Sequence, residues 1–268
     1  MSNCTIVANP DVSGIGIRVG MYITTFLAGI IPSRLCLSAG LNGFALLVTA
    51  VAQTASHKLD LYHAIIVMHQ LSFLGISTLS SLPRRAGPVR VAFYIVTMWS
   101  AVGLLVSWSM YVWITAPSFG ISALPSGDPQ CNDSVKYVIL FMNVRATVAW
   151  ARWLAVTGFS LGALGVLIMG FILILSLGGG VDGVDTKESG IAWSFNILGW
   201  VYNVVMLELT IKRNNVAPGE HIWSFGQIVP VIIAISGIVD IGMSYLEHDS
   251  ATLGAPLVHG WQEAIEPM

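Results

Sequence analysis

Charge is what this chain has least of. Twelve Lys and Arg and fourteen Asp and Glu make up only 10% of its 268 residues. Soluble domains carry about 25%, so an ordinary water-facing surface is excluded. The net charge of −2 offers no basic field, and no nucleic-acid partner is expected. Cysteine is sparse too: Cys4, Cys36 and Cys131. There is no Gly-rich nucleotide loop and no Gly-x-Ser-x-Gly nucleophile elbow. The final apolar run has no lysine, which excludes a retinal Schiff base of the microbial opsin type. The Asp-Arg-Tyr and Asn-Pro-x-x-Tyr landmarks of the commonest seven-helix receptors are missing, and there is no internal repeat. Met1 to Ser13 is polar, without the apolar core of a cleavable signal. The first span is therefore expected to act as its own insertion signal.

What the chain does have is long apolar runs. It is 55% hydrophobic with a mean hydropathy of +0.76. A bilayer core of ~30 Å needs about 20 apolar residues as helix. The runs predict an all-α polytopic transmembrane helix bundle of seven spans, 15–31, 37–56, 61–82, 89–115, 153–177, 191–210 and 222–245. Residues 1–14 form an outside tail and 246–268 an inside tail. Pro32-Ser33-Arg34 closes the first span. An eighth crossing at 135–152 is the alternative. The positive-inside rule favours it. An Arg such as Arg145 near the midplane opposes it, at a cost of ~2.5–3.5 kcal/mol on insertion scales. In the seven-span reading Tyr137 to Phe141 is extended loop.

The stretch from His57 to Arg85 organises the rest. Leu61 to Leu82 carries no Asp, Glu, Lys or Arg. His63, Gln70 and Ser77 recur every seven residues, so they share one helical stripe. Polar side chains at membrane depth face the bundle interior or a wet cavity. His69 is off that stripe. Pro83-Arg84-Arg85 fixes the end of this helix inside. On the same count the N-terminal tail and the 116–134 loop are outside.

Few constellations carry chemistry. His57, Asp60 and His63 are three residues apart in turn, but His57 and His63 are about 240° apart around a helix. No metal site and no cofactor is expected, and a solvated cap of His57 and Asp60 is. Arg18 and Glu208 read as interfacial. Asn196 and Asn203 form a second seven-residue stripe, and Gln227 and Asp240 are polar in the last span. His63, Gln70, Asn196, Asn203, Gln227 and Asp240 are thus the candidate ligand-binding residues. Cys4 and Cys131 are each in or beside a sequon, at Asn3 and Asn132. A disulfide between them is one reading and two unrelated thiols the other; Asn3 and Asn132 are candidate glycosylation sites. Gly16-x-x-x-Gly20 and Gly158-x-x-x-Gly162 are candidate faces for helix pairing or oligomers.

Asn9-Pro10-Asp11-Val12-Ser13-Gly14-Ile15-Gly16-Ile17-Arg18 resembles the N-terminal segment of a large group of fungal multi-pass membrane proteins. Tyr62-His63-Ala64-Ile65-Ile66-Val67 and Trp223-Ser224-Phe225-Gly226-Gln227 resemble later landmarks of that group, in the same order. The resemblance implies a fungal source and a multi-pass architecture, and assigns no functional residue.

The expected function is binding, sensing or transporting a small amphipathic ligand or ion through a polar bundle interior. The bilayer is its first partner, in the secretory pathway or plasma membrane, N-terminus outside. One alternative is a membrane-embedded enzyme for a lipid or terpenoid, with Asp240 or His63 moving the proton. A purely structural membrane protein is the other.

Overall fold

Apolar runs punctuated by Pro, Gly and Asn fold as long helices with short connections. The computed structural model of the protein describes residues 4–30, 32–78, 88–124, 130–178, 190–221, 223, 226–239 and 241–242. It is mostly helical, and its elements in chain order are α1 (Pro10–Ser13), α2 (Ile15–Ile30), α3 (Pro32–Ala55), α4 (Leu61–Thr78), α5 (Pro88–Thr115), α6 (Gln130–Ser134), β1 (Lys136–Ile139), β2 (Met142–Arg145), α7 (Ala149–Gly178), α8 (Gly190–Arg213) and α9 (Gly226–Val239). Pro32 does not close a span. It opens α3, where a proline's missing N–H is not needed.

The 135–152 stretch is neither loop nor crossing helix. Lys136 to Ile139 pairs antiparallel with Met142 to Arg145, and helix resumes at Ala149. Four-residue strands fall short of the ~9–11 residues a membrane-spanning strand needs. Arg152, placed in that loop on sequence, lies instead in the first turn of α7. Its Nε donates to the Trp113 carbonyl at 2.9 Å, at the end of α5.

Helix α4 is the core. Every residue from Leu59 to Leu71 is buried, on all faces of the helix. α2, α3 and α8 surround it, and α5 touches it while packing mainly on α7. The signal for this was the long uncharged run from Leu61, the mark of a helix enclosed by others. α7 is the opposite case. Its apolar run 149–172 has a mean hydropathy of 2.0, and only 12% of it is buried. Leu161 and Phe171 are 64% and 59% exposed. Among the described residues two helical runs, 10–29 and 149–172, are long and apolar enough to cross a membrane.

One end of the bundle is stitched shut. Cys4 and Cys131 form a disulfide with Cα atoms 5.4 Å apart. Ile6 donates to Asn215 O at 3.0 Å and accepts from Ala217 N at 2.9 Å. Asn9 Nδ2 donates to Gln53 Oε1 at 2.8 Å. The N-terminal tail thus straps α3, α6 and the end of α8 together across what is called here the disulfide end.

Candidate functional site

The buried polar groups of α4 begin at its first turn. Asp60 is its N-cap: Oδ1 accepts from the His63 backbone N–H and contacts His63 Nδ1, both at 2.9 Å. A carboxylate at a helix N-terminus relieves an orphan donor and meets the positive end of the dipole. Asp60 and His63 are both buried. The expected solvated cap is therefore corrected: His57 is exposed, but Asp60 is covered. The cover is Gly120, at φ +63, where a Cβ would lie 2.8 Å from Asp60 Cα. Only glycine lets the chain after α5 close this tightly over the α3–α4 turn.

Asn132 holds that cover in place. Its Nδ2 donates to Ala116 O at 3.1 Å and Phe119 O at 2.9 Å, and the residue is 1% exposed. Its reading as a glycosylation site is corrected, because the nitrogen a glycan would need is buried and bonded. Asn3 lies outside the described residues. A small crevice beside the disulfide is lined by Cys4, Asp60, Tyr62, Cys131 and Asn132.

Two turns further along α4, His69 Nε2 meets Asn203 O at 3.1 Å. His69 is buried although it is off the predicted stripe, because α8 closes on that face. Asn203 Nδ2 donates to Gly199 O at 2.9 Å, and its Oδ1 accepts from Ser72 at 3.1 Å. Asn196 is half-buried on the same helix. Gln70 differs from these. It is fully buried, and neither its Oε1 nor its Nε2 has a hydrogen-bond partner among the described residues.

The remaining candidates serve the frame. Gln227 is fully buried, and its Oε1 accepts from Gly16 N at 2.9 Å. A Cβ on Gly20 would lie 2.7 Å from Pro230 C. The Gly16–Gly20 face is thus used within the chain, against α9, while Gly158, Gly162 and Gly165 meet nothing among the described residues. Asp240 lies outside the described residues, as do Arg84 and Arg85. The Ser77 side chain is likewise outside the description.

Sequence reasoning missed one cluster. Arg18, read as interfacial, is 6% exposed and ion-paired with Glu208. Its Nε donates to Ser13 O at 3.1 Å. Tyr22 Oη donates to the same Glu208 Oε1 at 2.7 Å. The signal was the four-residue step from Arg18 to Tyr22, one face of α2.

The β1–β2 hairpin closes the flank of α4. Tyr137 sits between His69 and Trp113, with ring centroids 6.0 and 5.8 Å away. Burial, and next the Tyr202 phenol, push its phenol up to about 12, so it stays a neutral wedge. Among the described residues no cluster of three or more His, Cys, Asp or Glu could hold a metal. No family model, no curated protein and no solved structure matches this chain.

Proposed function

We propose that this chain is a seven-span membrane protein, disulfide end outside, that binds or senses a small amphipathic ligand in its interior at Gln70. One observation carries the reading. Gln70 is fully buried on the central helix with both amide atoms unpartnered. A buried amide left unpaired costs roughly 1–3 kcal/mol. A ligand's polar group, or a water, is what would relieve that cost. The apolar residues Ile66, Val67 and Phe73 on the adjoining turns are buried too, which suits a ligand with one polar point and an apolar body.

The membrane setting is supported by α7, since an exposed apolar helix of that length needs lipid around it. The 136–145 hairpin supports seven crossings over eight. The disulfide supports an oxidising compartment at that end, in the secretory pathway or at the cell surface. Membership of the fungal multi-pass group belongs to the same proposal. Two of the segments that carry that resemblance meet in space, where a Cβ on Gly226 would lie 2.7 Å from Asp11 Oδ1.

The experiment is a thermal-shift screen of sterols, fatty acids and terpenoids on purified parent and Gln70→Leu. Gln70→Leu should raise the melting temperature without ligand, because it removes two unpaired groups. It should also abolish the shift that an active compound gives the parent. An equal shift in both proteins refutes the site.

A further inference from the structure

We propose that the β1–β2 hairpin is a lipid wedge: its Leu140-Phe141-Met142 tip enters the hydrocarbon of the outer leaflet, and Lys136 and Arg145 at its base bind phospholipid phosphates. This rests on the membrane-spanning reading of α7 and α8, and adds a lipid-binding element that no long hydrophobic run marks.

The direction of the hairpin is fixed by α8. Lys136 N donates to Asn214 Oδ1 at 2.8 Å. Val138 N donates to Thr210 Oγ1 at 3.3 Å, and Leu140 N to Tyr202 Oη at 3.4 Å. Positions 214, 210 and 202 step back along α8 from its end at the disulfide side. The strand therefore descends antiparallel to α8. With ~3.3 Å per residue, the tip lies about 13 Å deeper than the base.

The β1 edge of the hairpin is prepared for that depth. Residues 136 and 138 are on the edge of β1 that faces away from β2, as the pairing of Ala146 N with Val135 O and the register Tyr137↔Val144 require. An open sheet edge is not tolerated in hydrocarbon. Here the edge N–H groups of residues 136 and 138, and that of Leu140 at the turn, each meet a side chain of α8 or of Asn214 just past its end. At the turn, Arg213 Nη1 donates to Phe141 O at 2.9 Å and to Asn143 Oδ1 at 2.7 Å.

The exposed apolar side chains gather at the turn, where Arg213 and Asn143 are the polar groups beside them. Leu140, Phe141 and Met142 are 62%, 60% and 58% exposed. Leu140 and Phe141 have φ of 47° and 66°, in a two-residue turn where Asn-Gly is preferred. Water gives no return for two large apolar residues in that strained pair, whereas acyl chains do. At the other end Lys136 lies directly opposite Arg145, and both are exposed. Like charges so placed repel and call for an anion between them. Lys212, exposed on the adjoining end of α8, adds a third cation. A lipid phosphate is the anion that stands at this level above an apolar layer.

The test uses the full chain carrying Cys36→Ser, in vesicles of phosphatidylcholine with and without phosphatidylglycerol. Nitroxides are placed at Phe141→Cys, Lys136→Cys and, as a lipid-facing control on α7, Leu167→Cys. Power saturation compares accessibility to oxygen and to a water-soluble nickel chelate. Phe141→Cys should match Leu167→Cys in favouring oxygen, while Lys136→Cys favours nickel. A nickel-accessible Phe141→Cys beside an oxygen-accessible Leu167→Cys overturns the wedge and leaves the membrane reading standing. Nickel access at all three overturns both. In a second arm, the preference for spin-labelled phosphatidylglycerol over phosphatidylcholine should fall by roughly fivefold per charge in Lys136→Gln/Arg145→Gln. Unchanged preference overturns the phosphate contact.

Discussion

Gly16 donates its backbone N–H to Gln227 Oε1 at 2.9 Å, across 211 residues of sequence. The first long helix is capped by a side chain of α9. The Gln227→Leu variant strands that buried N–H, at a cost of roughly 1–3 kcal/mol. Gly20→Val forces α9 away at Pro230 and should cost at least as much. Thermal unfolding of both variants in detergent checks this. A Gly20→Val protein that melts with the parent would show that the two helices do not touch there.

The ion pair between Arg18 and Glu208 is asymmetric. The Arg18 side chain is 7% exposed and that of Glu208 45%. Glu208→Leu leaves a covered guanidinium short of its carboxylate, whereas Arg18→Leu leaves a carboxylate that can turn to water. Glu208→Leu should therefore be the more destabilising, by about 1–2 kcal/mol. Chemical denaturation of the two single variants decides it, and equal losses contradict the burial argument.

Asn132 should carry no glycan when the protein is made in a eukaryotic secretory host, despite its sequon. Mass mapping of the peptide reads this directly. Asn132→Ala should lower stability by roughly 1–3 kcal/mol, because it releases the turn that covers Asp60.

Reduction of Cys4–Cys131 should destabilise the protein by about 2–4 kcal/mol, the usual range for a long closed loop. Melting with and without reductant measures the effect. Alkylation of either cysteine in unreduced native protein would show that the bond is absent.

The helices were legible because long apolar runs leave few alternatives, and five of the expected spans coincide with helices to within a few residues at both start and end. Where the reading failed, the cause was a partner distant in sequence. Asp60 looks solvated beside His57 and Lys58; Gly120 and Asn132 cover it from sixty and seventy residues away. His69 looks misplaced on a single-helix stripe, but α4 has protein on every side. The hairpin was hidden because Leu140-Phe141 is a poor turn in water. Its cations, with Arg152 and Arg213, are also what unbalanced the count of Lys and Arg between the two faces. Arg152 and Arg213 serve carbonyl oxygens here, a role that a charge count does not see.

The enclosure of α4 also sets a clock for biogenesis. On the ribosome α4 emerges before α5, α7 and α8 exist, and at about 5–20 residues per second α8 follows roughly ten seconds later. Through that interval His69 has no Asn203 carbonyl and the flank that Tyr137 will fill is open. The nascent chain must carry a histidine and a glutamine on an apolar helix without the partners that enclose them until the last helices arrive. Assembly of this protein is thus a late event, completed only when its C-terminal third has been made.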